Sequence, residues 1–165
     1  MIALDIPLLN LKSPYYVVQD ADGDLLFETD YGVKYGISFE LNEGMMNYPA
    51  YEFGILNKNG QPSPNDRKLR DTILAIIEEF FRANGGVLLY ICATGDGMQK
   101  YRFHLFLRWF NTYEHRDLYY IQTAEGKMDG QMNFVAIISR LTCPSLPQAI
   151  EEFSETISLL FDIEE

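Results

Sequence analysis

The sequence predicts a single α+β domain built on a mixed, mostly antiparallel sheet, and two observations support that fold class. The stretch Val87–Cys92 is apolar at every position, which is typical of a strand that is covered on both faces and lies inside its sheet. Around it, four runs with strand character come first, and helical runs with turn residues at their ends then alternate with further strands. The predicted order is ββββ-α-β-α-ββ-α, with residues 1–165 in one domain and no internal repeat.

The first part of the chain predicts four strands in an antiparallel meander. Residues 1–14 are expected to form an irregular opening segment, because two prolines there disfavour regular structure. Asp22-Gly23 is a typical hairpin turn. In residues 33–41 apolar and polar side chains alternate, which indicates one buried and one solvated face. The four strands are predicted at residues 15–20, 24–30, 33–41 and 50–56.

A helix that begins with a capping serine is predicted next. Ser63 is its expected N-cap, Pro64 is its first residue, and Asp66 lies in its first turn. Asn84 and the two glycines after it end the helix. A right-handed crossover through this helix would make the strands before and after it parallel neighbours. Its apolar face consists of Leu69, Ile73, Ile76, Ile77, Phe80 and Phe81.

The second predicted helix follows a glycine-rich turn after the central strand. Asp96 is the expected N-cap, and Gln99 three residues later completes a capping box. One apolar stripe of this helix would face the sheet, and Arg102 falls inside that stripe. The stripe consists of Met98, Leu105, Phe106, Trp109 and Tyr113.

The C-terminal part predicts a hairpin and a last helix. A loop that contains Asp129-Gly130 joins the two strands of the hairpin. Ser145 and Gln148 form the expected capping box of the helix, and residues 163–165 form an acidic tail. The strands are predicted at residues 117–123 and 132–140. The apolar face of the helix consists of Leu146, Ile150, Phe153, Ile157, Leu160 and Phe161.

Arg102 carries the main site hypothesis. A buried guanidinium needs a carboxylate or carbonyl partner, because an unpaired buried charge is strongly destabilising. Asp66 is the expected partner, since both helices begin beyond the same ends of parallel strands, where open α/β sheets bind ligands. Arg102 is therefore either a structural ion-pair residue or the group that binds an anion. The candidate ligand-binding residues are Arg102, Asp66, Asp96 and Gln99, and no catalytic residue is assigned.

The charge of the chain narrows the classes of partner. The formal net charge is -11, which argues against nucleic acid and against an anionic membrane surface. No stretch has the length and apolarity of a transmembrane helix or the pattern of a signal peptide. Cys92, in a buried strand, and Cys143, before a proline, are expected to be reduced thiols of a cytoplasmic protein. The expected partner is a protein or small molecule whose identity the sequence does not give.

Several familiar motifs begin and are not completed. Cys92 would need an arginine six residues later to act as a cysteine phosphatase, and Met98 stands there. The aspartates of residues 20–24 start like a calcium loop but lack its later glycine and glutamate. Residues 95–97 lack the further glycine of a dinucleotide site and the lysine of a P-loop. The histidines and cysteines have no metal-ligand spacing, so no metal and no cofactor is expected.

One set of residues in the two central helices and the strand between them is distinctive: Asp66, Thr72, Ile73, Ile76, Ile77, Phe80, Phe81, Leu89, Tyr90, Ile91, Cys92, Asp96, Gln99, Arg102, Leu105, Phe106, Trp109 and Phe110. This set resembles a family of small uncharacterised bacterial proteins, a domain of unknown function. The resemblance covers roughly residues 25–115. It implies membership of that family and no particular activity.

A weaker similarity is topological. From Ala50 to Arg140, the order strand, helix, strand, helix and two strands is similar to the C-terminal half of coenzyme A-dependent N-acyltransferases. That similarity implies a pyrophosphate motif, R/Q-x-x-G-x-G/A, at the start of the first helix. Gln61 would head the motif, but Pro64 and Asp66 stand where its glycines should be. Coenzyme A is therefore a cofactor only under this alternative.

Two hypotheses of function are left open by the sequence. The leading one is a non-catalytic binding or interaction domain, based on the incomplete catalytic motifs and an aromatic content of 14%. The alternative is a divergent acyl-CoA N-acyltransferase-like enzyme with a degenerate pyrophosphate loop.

Overall fold

The computed structural model describes residues 1–43, 49–92 and 96–161. Its helices and strands are α1 (Ile6–Lys12), β1 (Val18–Gln19), β2 (Leu25–Glu28), β3 (Lys34–Leu41), β4 (Ala50–Asn57), α2 (Arg67–Ala83), β5 (Val87–Ile91), α3 (Gln99–Asn111), β6 (Tyr119–Met128), β7 (Gln131–Arg140) and α4 (Leu146–Leu160). The seven strands form one sheet in the order β1-β2-β3-β4-β5-β7-β6. β4 and β5 are parallel, and β1–β2, β2–β3, β5–β7 and β6–β7 are antiparallel. The predicted α+β class and mostly antiparallel sheet are confirmed.

Contacts divide the chain into two compact units. The first unit comprises residues 1–39 and 54–85, and the second comprises residues 40–53 and 86–165. The first unit therefore contains α1, β1, β2 and α2, and the second contains β5, α3, β6, β7 and α4. The acidic tail predicted at the C-terminus lies outside the described residues.

The opening segment is helical, which corrects the expectation of irregular structure. Pro7 lies in the first turn of α1, where a missing N–H is tolerated, and the Asp5 carboxylate accepts a hydrogen bond from the Leu8 N–H at 3.0 Å. The following strand is shorter than expected. The Asn10 side chain exchanges two 2.8 Å hydrogen bonds with the backbone of Val17, so a side-chain amide takes the place of a neighbouring strand at that residue.

α2 begins three residues later than predicted. Asp66, expected in the first turn, is the N-cap: its carboxylate accepts hydrogen bonds from the Lys68 N–H at 3.0 Å and from the Tyr15 hydroxyl. Ser63 and Pro64 belong to the preceding loop. The predicted apolar face is confirmed, because all six of its side chains are buried.

β5 is an interior strand of the sheet, as its uninterrupted apolarity predicts. It is parallel to β4 on one side, with Ala50 opposite Val87 and Phe53 opposite Tyr90. On the other side it is antiparallel to β7 through all five of its residues. Only its last residue, Ile91, is exposed. The second unit is built on this strand.

The aromatic face of β5 fixes the orientation of α3. The buried residues of α3 are Phe103, Phe106 and Phe110, and the rings of Phe106 and Tyr90 are 4.1 Å apart between centroids. The stripe predicted from the sequence is therefore wrong in its phase. Met98 is 48% exposed, while Leu105, Trp109 and Tyr113 are half-buried. The helix is apolar on adjoining faces, and the aromatic partners in the sheet decide which face is buried.

The predicted C-terminal hairpin and helix are both present, but the end of β6 and the cap of α4 differ from the prediction. Asp129 and Gly130 have φ of 54° and 78°. Positive φ at both residues is typical of the two-residue hairpin turn whose twist matches that of the flanking strands. β6 extends five residues beyond its predicted end. α4 starts after Ser145 as expected, but Ser145 makes no capping hydrogen bond and Gln148 bonds Glu152 instead. The capping box predicted there is wrong.

Gly86, where the chain enters β5, gives a testable prediction. Its φ is +94°, and an added Cβ would lie 2.4 Å from the carbonyl oxygen of Pro49. Gly86→Ala should therefore lower the free energy of unfolding by about 2 kcal/mol or more. Gly85→Ala is the matched control, because a Cβ there meets nothing within 4 Å, and it should change stability by less than about 1 kcal/mol. Chemical denaturation of both variants tests this; equal stabilities would contradict it.

Candidate functional site

The four predicted ligand-binding residues fall into two places. Asp96, Gln99 and Arg102 lie together at the start of α3 in the second unit, and Asp66 caps α2 in the first. The turn before Asp96 lies outside the described residues, so the expected anion-cradling role of its glycines is a prediction only.

Arg102 is paired with Asp96, which corrects the expected pairing with Asp66. The guanidinium donates from Nη1 to Asp96 Oδ2 at 2.6 Å and from Nη2 to Oδ1 at 3.0 Å, a bidentate arrangement. The side chains of Arg102 and Asp96 are 35% and 56% exposed. The pair is thus at the surface, and the phase of α3 explains why: Arg102 flanks the buried face and does not lie within it.

Asp96 closes the turn that leads into α3. Its carboxylate also accepts a hydrogen bond from the Met98 N–H at 2.9 Å. The hydrogen bonds from Arg102, followed by the one from Met98, lower the pKa of Asp96 to about 2. Asp96 is therefore ionised at neutral pH, and it neutralises the guanidinium that the sequence suggested for anion binding.

Behind this pair lie a buried tyrosine and a buried thiol. Tyr90 and Cys92 are 5% and 3% exposed. Burial raises the pKa of both groups, although Arg102 acts in the opposite direction. A thiol with a raised pKa is a poor nucleophile, which agrees with the incomplete phosphatase motif. Cys92 and Cys143 are both free thiols, as expected.

Gln99 does not form the capping box expected with Asp96. Its Nε2 donates to the carbonyl oxygen of Met132 at 3.2 Å, which ties the first turn of α3 to β7. Its Oε1 is buried without a hydrogen-bond partner among the described residues. Whether Gln99 and Arg102 bind a ligand is a prediction that these contacts do not test.

The opposite face of β5 carries a feature that the sequence did not reveal. Between this face and α4 lies an apolar cavity of about 70 Å³. Its floor comes from β5, β6 and β7, and its roof from the second half of α4. The lining residues are Leu89, Ile91, Met128, Asn133, Phe134, Val135, Phe153, Thr156, Ile157, Leu160 and Phe161.

Strand alternation builds the floor of this cavity. Leu89 and Ile91 lie opposite Ile137 and Val135 on the face of the sheet turned away from Tyr90. Leu89, Val135 and Ile137 belong to a buried cluster with Ala149 and Phe153 of α4. Beyond Phe153 the packing is incomplete, and the cavity begins there.

A glycine in β6 positions the residue that follows α4. A Cβ at Gly126 would lie 2.4 Å from a ring carbon of Phe161, so the ring rests directly on the strand backbone. An isolated glycine within a strand indicates such a close approach, and this was the available signal. The sequence pattern instead assigned Ile157, Leu160 and Phe161 to a continuous core face. Leu160 is in fact 41% exposed.

No group of three or more His, Cys, Asp and Glu side chains that could hold a metal ion exists within residues 1–43, 49–92 and 96–161. The aspartates of residues 20–24 form a hairpin tip, where Asp20 Oδ1 accepts hydrogen bonds from the N–H groups of Asp22 and Asp24. This matches the hairpin interpretation of that run.

The ion pair at α3 gives a second prediction. In Arg102→Gln, the pKa of Asp96 should rise from about 2 toward its ordinary value of 3.8, because the main hydrogen bonds that stabilise the carboxylate are removed. In the wild-type protein, the ion pair stabilises the fold at pH values above the pKa of Asp96 in the unfolded chain. This stabilisation is lost as the pH falls toward 2. An NMR titration of the Asp96 carboxyl carbon measures this. Arg108→Gln, an exposed charge further along α3, is the control; an unchanged low pKa in Arg102→Gln would contradict the assignment.

Comparison with known proteins shows a match to a protein family. A model of a family described as a family of unknown function, DUF6169, matches residues 65–155, which is more than half of the chain and runs from the start of α2 into α4. No curated protein and no solved structure matches, so these comparisons leave the N-acyltransferase similarity unconfirmed. The chain belongs to this family of unknown function, DUF6169.

Proposed function

We propose that this protein is a non-catalytic binding domain whose ligand places an apolar group in the cavity beneath α4. One observation supports this most directly: the cavity is apolar and its edge is apolar too. Ile91, Met128 and Leu160, which line it, are 40%, 37% and 41% exposed. Exposed apolar side chains around a concave apolar site are typical of ligand and partner binding.

The size of the cavity sets the size of that group. A single water needs roughly 10–15 Å³ of such space, so about 70 Å³ corresponds to a group of several heavy atoms, such as one aromatic ring or a branched aliphatic chain. Full burial of a group of this kind is worth about 1.5–3 kcal/mol. The site therefore anchors part of a ligand and does not enclose a large one.

The cytoplasm is the proposed location, on the basis of the two free thiols. Among the described residues, no helix combines the length and apolarity needed to cross a membrane. The net charge of -11 makes nucleic acid an unfavourable partner.

An acyltransferase-like enzyme is the second candidate, and the sheet supports it only in topology. The order β4, α2, β5, α3, β6 and β7 keeps the connectivity on which the similarity was based. The start of α2 does not fit a pyrophosphate, however. The Asp66 carboxylate already accepts the Lys68 N–H there, and Pro64 has no N–H to donate. A negative charge stands where coenzyme A would need positive potential.

Toluene is a suitable probe of the proposed site, because it has an apolar body and no polar head. Titration should shift the methyl NMR signals of Ile91, Val135, Ile157 and Leu160. Thr156→Phe, which fills the roof of the cavity, should abolish these shifts. Ser154→Phe is the matched control on the exposed side of α4, and it should preserve them. Toluene shifts that are absent from the cavity methyls, or that survive Thr156→Phe unchanged, would overturn the proposal.

Coenzyme A and acetyl-CoA should leave the melting temperature unchanged under the binding-domain proposal. A ligand at ~100 times its dissociation constant adds about 2.7 kcal/mol of stability, so binding would be visible as a clear rise in Tm. Asp66→Gly is a contrasting variant, because it restores a glycine of the pyrophosphate motif and removes the negative charge at the start of α2. A rise in the Tm of the wild-type protein with either compound would favour the enzyme hypothesis instead.

A further inference from the structure

We propose that the outer edge of β6 pairs with the same edge of a second copy of this chain, antiparallel, about a two-fold axis at Thr123. β6 is the last strand of the sheet. It is hydrogen-bonded to β7 along one edge, and no described strand lies along the other. The proposed ligand site does not use this edge, so the inference is independent of the proposed function.

The hydrogen-bonding pattern with β7 shows which backbone groups face the outer edge. The N–H of Leu141 donates to the carbonyl oxygen of Leu118 at 3.1 Å, a pair that continues the β6–β7 register. In an antiparallel ladder such hydrogen-bonded pairs alternate with non-hydrogen-bonded pairs, and the register is unbroken through the whole of β6. Ile121, Thr123 and Glu125 therefore turn their N–H and C=O groups away from β7.

A contact at the start of the strand agrees with this orientation. By the same alternation the carbonyl of Tyr119 points outward, and its oxygen accepts a hydrogen bond from Arg116 Nη1 at 2.9 Å. The outward groups of Ile121, Thr123 and Glu125 have no hydrogen-bond partner among residues 1–43, 49–92 and 96–161. The side chains of Thr123 and Glu125 are exposed, so a second backbone can approach this edge.

The outer edge of β6 also lacks the features that usually protect a sheet edge, which are a short strand, a proline, a bulge or a central charge. β1, at the other end of the sheet, spans only two residues. β6 spans ten residues without a proline or a bulge, and its charged side chains, Glu125 and Lys127, lie toward one end. A row of alternating donors and acceptors matches another extended backbone.

A second copy of β6 fits this row in one register. When Thr123 of each copy lies on the axis, Ile121 of one copy lies opposite Glu125 of the other, and every such pair joins residues whose backbone groups face outward. No like charges are opposed, and the two threonines form a favourable cross-strand pair. Because β1 is short, the pairing ends at a closed two-fold dimer and does not continue into a filament.

Two properties make this dimer reversible. The pairing of two edge strands is smaller than a standard interface of about 1,600 Å². Each copy also carries a net charge of -11, so the copies repel each other at long range. Added salt screens this repulsion, and the dimer should therefore strengthen as the salt concentration rises.

Sedimentation equilibrium of the full chain from about 1 µM to 1 mM, with amide hydrogen exchange measured by NMR at both extremes, tests the proposal. We expect a monomer–dimer equilibrium in which the amides of Ile121, Thr123 and Glu125 exchange more slowly at high concentration, while those of Tyr120 and Gln122 do not change. Thr123→Lys, which places two lysines on the axis, should raise the dimer dissociation constant at least about tenfold. Thr123→Val is the matched control and should change it less than about threefold.

Cysteine cross-linking tests the register. Opposed residues in a hydrogen-bonded pair have Cα atoms about 5.5 Å apart, which is within disulfide range, so Thr123→Cys should form a covalent dimer on oxidation. Glu125→Cys should not, because the two copies of that residue would be roughly 13 Å apart along the strands. Equal cross-linking of both variants would overturn the proposal. So would a wild-type protein that stays monomeric at about 1 mM, or one that dimerises without protecting the outward amides.

Discussion

The second unit depends on β5 being paired along both edges and covered on both faces. Its parallel pairing with β4 and antiparallel pairing with β7 satisfy its backbone groups within the sheet. The register sets Leu89 opposite Ile137 and Tyr90 opposite Ala136. A slip of one residue would exchange the two faces, and would move the tyrosine ring from the aromatic layer of α3 into the aliphatic layer of α4. Each helix is thus placed by the side chains that β5 presents to it.

The two faces of β5 are packed to different degrees, and this difference locates the site. On the α3 side, large rings interlock, and Phe103 and Phe134 add a second aromatic pair at 5.4 Å. On the α4 side, small and branched residues meet. Packing there is complete at Ala149 and Phe153 but leaves space next to Thr156, one turn later. The cavity therefore lies where α4 continues beyond Phe153 and the side chains between the helix and the sheet no longer fill the space.

Features that depend on residues close together in the sequence could be predicted from local sequence patterns. The apolar run of β5, the apolar face of α2 and the turn at Asp129 were all predicted correctly. The errors concern choices between several satisfactory local solutions. Asp66 and Ser63 are both good caps, and the Tyr15 hydroxyl favours Asp66. Arg102 could meet several carboxylates, and Asp96 in the adjacent turn is the partner in the structure. The cavity could not be predicted, because it depends on how fully two elements distant in sequence pack against each other.

The family match divides the residues that line the cavity into two groups. The matched segment ends at residue 155, so it includes the floor residues of β5 and β7 and also Phe153. Thr156 lies just beyond it, as do the lining residues Ile157, Leu160 and Phe161. The apolar floor thus lies in the matched segment, while most of the roof lies beyond the end of that segment.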